Sequence, residues 1–232
     1  MHTTLFTGTA FAQVTNEAEN LTTQQQGLIS IAAYTANGDL KNLTQALNTG
    51  LDAGLTINEI KEGIVHAYAY CGFPRSIRGL QTFMTVLTER KAIGIQDKIG
   101  NDASPISNTG SKYERGKKVL GELSSAPQDG PLTGYGAFAP VMDTFLKEHL
   151  FADIFERAVL TYAQRELVTI SVLSSIGGVE PMLRSHLSIS LNVGFTPQQL
   201  KHFVNVIEPA VGKEKAEAAK SVLTEVLKSR QK

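Results

Sequence analysis

Two residues in the second half of this 232-residue chain are of types that move protons at neutral pH: Glu166 and His186. Histidine titrates near neutrality, and a carboxylate beside it fixes its tautomer. Gly178 lies between them, twelve positions after Glu166 and eight before His186. In an antiparallel hairpin turning there, the two are offset by roughly 6 Å at about 1.5 Å per residue. Their side chains bridge that offset directly or through one water, which makes a proton relay. The competing reading pairs Glu166 with Arg165 or Arg157 and makes His186 a satisfied core histidine. In the first half, His66, Tyr70 and Cys71 cluster on an otherwise apolar helix and are expected to wall a substrate site, although helix packing explains the tyrosines equally well. Cys71, the single cysteine, is a weak nucleophile candidate, since a lone cysteine is more often a small buried hydrophobe. Arg75 and Arg184 are candidates for holding a substrate carboxylate, and His149 and His202 read as solvent or interface residues. No metal-ligand spacing, phosphate loop or dinucleotide glycine pattern occurs, so no cofactor is expected.

The elements that must position these residues are all helical. Leu28, Ile31, Ala32 and Thr35 form one stripe, ended by Asn37-Gly38; Leu40, Leu43, Leu47 and Leu51 form the next, ended by Gly54. Thr56 to Glu59 is a capping box ahead of Ile60, Ile64, Ala67 and Cys71. Pro74 restarts a helix with Ile77, Leu80, Met84 and Leu87. Gly94–Ser111 is rich in Gly, Asn, Asp, Ser and Pro and reads as a linker. Tyr113–Leu123 is a short helix, Ser124–Pro140 a loop, and Phe145–Phe155 and Arg157–Ser175 are helical. Gly177-Gly178 stop that run, Pro181 opens the helix carrying His186, and Thr196-Pro197-Gln198-Gln199 opens another. Ala216–Leu227 closes the chain. The fold class is all-α.

A neutral formal charge gives no electrostatic reason to expect nucleic acid or an anionic membrane as partner. No apolar run approaches the roughly 20 residues that span a bilayer. At the N-terminus, Ala10-Phe11-Ala12 matches a small-residue cleavage site, although no Lys or Arg precedes it. If that site is used, residues 1–20 hold a signal remnant and the mature chain begins at Gln13 in the periplasm. Otherwise they form a tail, and the protein is cytoplasmic.

Shifting the chain by 140 positions superposes its halves. Gly38, Gly54 and Gly72 fall on Gly178, Gly194 and Gly212; Leu43, Leu47 and Leu51 fall on Leu183, Leu187 and Leu191. Two copies of one helical-hairpin unit are expected, over residues 21–93 and 113–232 with a linker at 94–112. On the same shift Glu166 and His186 fall on Gln26 and Ala46, which makes the first copy scaffold and the second the site.

The second half resembles the carboxymuconolactone decarboxylase family, within the AhpD-like group of helical bundles. The similar residues are Tyr113-Glu114-Arg115-Gly116, the run from Leu150 to Arg157, Arg165-Glu166-Leu167-Val168-Thr169, and His186 ahead of Leu191-Asn192-Val193-Gly194. The first half resembles the same unit as far as His66 to Pro74. The peroxidase-type members carry a Cys-x-x-Cys pair before the histidine; the matching positions here are Val179 and Met182, so a dithiol–disulfide cycle is unavailable. The resemblance therefore implies a cofactor-free acid/base lyase on a small lactone or carboxylic acid, with Glu166 and His186 catalytic. A thiol-dependent peroxidase using Cys71 and a non-catalytic helical binding assembly are the alternatives. Rings of several units in the family imply a homo-oligomer, expected to be a trimer of these two-unit chains.

Overall fold

The computed structural model describes residues 19–105 and 109–230, and the Ala10-Phe11-Ala12 expectation lies outside them. Among the described residues there are helices and no strands. The first unit comprises α1 (Thr23–Asn37), α2 (Leu40–Asp52) and α3 (Ile57–Ala92). Next come α4 (Lys112–Ser124), the short α5 (Gly134–Phe138) and α6 (Pro140–Phe145), and a π-helix over Leu146–Ile154. The second unit comprises α7 (Tyr162–Ile176), α8 (Glu180–Asn192), α9 (Pro197–Val211) and α10 (Lys213–Ser229).

The repeat is visible in the backbone. Capping boxes open α1 (Thr22, Gln25), α3 (Thr56, Glu59), α7 (Thr161, Gln164) and α9 (Thr196, Gln199). Gly72 breaks α3 at φ 80°, ψ 159°, and Gly212 separates α9 from α10 at φ 81°, ψ 162°. That region of backbone space is essentially open to glycine alone. It is why both units bend at the same place.

The central helices are α1 and α7, which pack on each other. Both are buried nearly all round, as a helix without a polar face must be. Each lends side chains to the other unit's core: Ile29 and Ala33 of α1 sit in the second unit's core, and Val168 and Val172 of α7 in the first. These pairs stand 139 positions apart, as do the caps Thr22 and Thr161, whereas α2 and α8 match at 140. One extra residue therefore lies in the α7–α8 turn at Gly177–Val179. It moves the counterpart of Glu166 from Gln26 to Gly27, while Ala46 stays opposite His186.

Two expectations from sequence are corrected. Arg157 to Thr161 is turn rather than helix, because Thr161 and Gln164 cap α7 one turn later than the pattern suggested. The expected loop 124–140 contains α5. The expected helix over Phe145–Phe155 is present, mainly as a π-helix. The π-helix and α4 form a hairpin whose closest approach is at Gly116, where any Cβ would collide with the Lys147 carbonyl oxygen. This hairpin lies on the second unit, joining Phe151, Ile154 and Phe155 to Ile189, Tyr162 and Val193. The linker also has a structural role. Lys98 and Ile99 carbonyls accept hydrogen bonds from the N–H groups of Ile57 and Asn58, which the first turn of α3 leaves without partners.

Candidate functional site

The site is built where α3 of the first unit meets α7 of the second. On α3, Glu62, His66 and Tyr70 follow one another at four-residue intervals, which places them along one face. On α7, Arg165, Glu166 and Thr169 face them, and α8 adds His186. Arg165 and Glu166 are both 0% exposed and Glu62 is 3% exposed. Charges this deep persist only when paired.

Glu62 is the anchor. Arg157 binds it bidentately, Nε to Oε1 at 2.7 Å and Nη2 to Oε2 at 2.9 Å, and Arg165 Nη2 donates to Oε1 at 2.9 Å. Arg165 Nη2 also donates to the Arg157 carbonyl at 2.8 Å, holding the turn before α7 in place. Burial opposes ionisation of Glu62, but the hydrogen bonds and charges of Arg157 and Arg165 outweigh it and hold its pKa below the ordinary carboxylate value. The two arginines thus belong to Glu62 and not to Glu166. Nothing in the local pattern around Glu62 distinguishes it from a solvent-facing glutamate; only its helical spacing to His66 and Tyr70 would have linked it to the site.

His66 sits behind the site. Thr169 Oγ donates its proton to the Arg165 carbonyl at 3.0 Å, so its lone pair accepts from His66 Nε2–H at 2.9 Å. Arg165 Nη1 donates to His66 Nδ1 at 3.3 Å. The ring is therefore the neutral Nε2–H tautomer. Burial, followed by the charge of Arg165 and the proximity of His186, keeps its pKa well below 6.5. With no exposed surface and both nitrogens used, His66 supports the network and presents no polar atom to a ligand.

Glu166 and His186 meet directly. His186 Nδ1 lies 2.8 Å from Glu166 Oε2. A carboxylate can only accept, so Nδ1 carries the proton and Nε2 is the nitrogen left to give or take one. The His186 side chain keeps 13% exposure while that of Glu166 has none, so the ring edge opens outward and its orienting carboxylate stays dry. Glu166 Oε1 is buried without a hydrogen-bond partner among the described residues, and the Tyr70 hydroxyl, also buried, lies beside the Thr169 hydroxyl. Tyr70 stands edge-on to His186 at 5.7 Å between ring centroids. Burial and then the charge of Glu166 push the phenol's pKa up, so it stays protonated as a donor.

Cys71 is on the same helix but serves the first unit's core. Its thiol donates to the Ala67 carbonyl at 3.2 Å, and burial pushes its pKa up, against what a reactive thiolate needs. Arg184 pairs with Glu225 on the surface. Val179 and Met182 occupy the α8 start, Met182 exposed and Val179 packed on the second unit's core. Among the described residues no group of His, Cys, Asp and Glu is arranged to hold a metal, and no helix is long and apolar enough to cross a membrane.

Two helical units of the same design, with a buried Glu–His pair in only the second of them, define an all-α tandem protein of the AhpD-like class. A sequence model of the carboxymuconolactone decarboxylase family matches residues 3–83 and 140–225, one segment in each unit. The chain belongs to that family. A search of curated proteins finds no similar sequence.

Proposed function

We propose that the protein is a cofactor-free lyase that decarboxylates a small lactone or carboxylic acid, with His186 as the proton-transferring group. The observation that carries this is the 2.8 Å contact between His186 Nδ1 and the fully buried Glu166. It fixes the tautomer, aims Nε2 outward and stabilises the imidazolium when the ring is charged. In the reaction, the bond from carbon to the departing carboxylate breaks and its electron pair passes into the conjugated lactone carbonyl. Carbon dioxide leaves, the dienolate takes the proton from His186 Nε2 at carbon, and solvent reloads the ring. Tyr70, held protonated by burial and the charge of Glu166, is suited to donate to the carbonyl oxygen as charge develops there. His66, Arg165 and Glu62 are positioning residues that hold Tyr70 and α7 in register. Cys71 takes no part, because its thiol is held neutral.

We further propose that the chain forms a homo-oligomer, a trimer by family resemblance. Phe73, Ile77 and Met84, all more than half exposed, make an apolar stripe along the second half of α3, and Phe138 and Phe145 are similarly uncovered on α5 and α6. Apolar surfaces of this kind mark contacts with other chains.

The direct experiment is carbon dioxide release from a carboxymuconolactone-type substrate by the wild type, His186→Ala and Ala46→Ser. His186→Ala should lower turnover by about 10²- to 10⁴-fold, the usual worth of a positioned general acid, and should also lower the melting temperature, because it leaves the buried Glu166 without its partner. Ala46→Ser, at the counterpart position, should retain wild-type turnover. Full activity in His186→Ala would overturn the assignment.

A further inference from the structure

Beyond its glycine break, α3 of the first unit is the counterpart of α10 in the second. Gly72 and Gly212 hold nearly the same backbone angles, and at the 140-residue shift the stripes that face the two cores coincide. Ser76, Gly79, Phe83 and Val86 are buried in α3, as are Ala216, Ala219, Leu223 and Val226 in α10. The outer sides differ. Phe73, Ile77, Leu80, Met84 and Leu87 of α3 fall on Lys213, Glu217, Lys220, Thr224 and Leu227 of α10. A helix at this place in the unit therefore works with a largely charged outer face, so the apolar face of α3 answers to something outside its own unit.

Those five α3 residues recur at intervals of four, three, four and three. This spacing keeps them in one seam along the helix, and it is the spacing at which helices interlock their side chains. Phe73, Ile77 and Met84 are 62%, 51% and 67% exposed, whereas Leu80 and Leu87 rest partly on the first unit's core. One flank of the seam is the core-facing stripe. The other is Pro74, Gln81 and Thr88, all exposed and uncharged. A helix face that stays in water carries polar and charged residues, and this one carries no charge over about four turns. Its natural occupant is a helix of similar length with the same spacing. Exposed apolar side chains also cluster on α5 and α6, but those helices have five and six residues and are too short to follow the seam. The α3 of a second copy has both the length and the spacing.

We propose that the second halves of α3 from three chains pack along this seam about the threefold axis, so that Phe73, Ile77 and Met84 meet their own counterparts in the neighbouring copies. The seam contact rests on the trimeric reading of the assembly and assigns its surface. Cyclic symmetry brings a residue beside its own copies only near the axis. A charge placed there would face two like charges, which is why the seam and its open flank have none. Glu62, His66 and Tyr70 lie on the same helix just before Gly72, so assembly holds the far end of the helix that carries the first unit's share of the site.

Single cysteines in a Cys71→Ser background test the seam. On mild oxidation Ile77→Cys and Met84→Cys should each give disulfide-linked pairs of chains, read on non-reducing gels and by peptide mass. Thr224→Cys, at the α10 counterpart of Met84, should stay unlinked. Ile77→Glu combined with Met84→Glu should shift sedimentation from three 25.1 kDa chains to one, with helical circular dichroism unchanged; if that variant fails to fold, the cysteine pattern decides. A wild type that sediments as a monomer overturns the trimer and the seam together. A wild-type trimer that the two glutamates leave intact, or in which Thr224→Cys links as readily as Met84→Cys, overturns the seam and leaves the trimer standing. In the double variant Ile77→Cys/Met84→Cys, links solely between positions 77 and 84 of different chains mark antiparallel helices and overturn it as well.

Discussion

His66 offers a quantitative test of the buried network. Its ring accepts from Arg165 and donates to Thr169, with Tyr70 and Phe155 packed around it, so the folded state holds it neutral and its pKa lies well below 6.5. In the unfolded chain it titrates near 6.5. Above that pH both states are neutral and the group contributes nothing to the pH dependence. Below it the unfolded chain binds a proton that the folded chain refuses, so stability falls as pH falls, by about 1.4 kcal/mol per pH unit. At pH 5 the loss has an upper limit of about 2 kcal/mol, reached when the folded ring binds no proton there. Glu62 acts in the same direction but lower. Its folded pKa is depressed, so its contribution is intact above about 4.5 and is lost as pH falls through the folded value. His66→Gln retains an acceptor for Arg165 and a donor for Thr169 but has no site for a proton. Urea unfolding of both proteins from pH 7.5 to 5.0 should show the wild type losing stability relative to the variant, by up to about 2 kcal/mol. Parallel pH profiles would refute a neutral, buried His66.

Two further outcomes are expected. Gly72→Ala and Gly212→Ala should each cost about 1–3 kcal/mol, since both glycines hold the same glycine-only backbone angles and neither has a neighbour that an added Cβ would strike. Thermal melts should place the two variants close together, and a loss under about 0.5 kcal/mol at either would show that the bend does not need glycine. Sedimentation at micromolar concentration should show a species of three 25.1 kDa chains, and a stable monomer would rule the trimer out.

Much of this architecture was written locally. Capping threonines at 56 and 196, glycines at the same place in each copy, and leucines at helical spacing specify the helices and their duplication, because each signal acts within one or two turns of chain. Glu166 and His186 were legible for the same reason: they stand on consecutive helices joined by one glycine turn, so their meeting depends on little beyond that hairpin. The repeat register was readable only approximately, since the extra residue in the α7–α8 turn shifts α1 against α7 by one, which the caps Thr22 and Thr161 and the packing of Ile29, Ala33, Val168 and Val172 reveal. Tertiary structure alone decided the rest. Glu62 is 95 positions from Arg157 and 103 from Arg165, and a glutamate on one helix, an arginine on another and an arginine in the turn before it carry no mark of burial until α3 is laid against α7. That contact buries Glu62 and Arg165 and leaves Arg157 only partly exposed, and charges so enclosed must find each other. His66 follows from the same packing. Its chemistry as a residue type is that of a titrating base, but the Arg165 donor and the loss of solvent make it a fixed neutral strut, whereas the His186 side chain, held on Glu166, keeps 13% exposure.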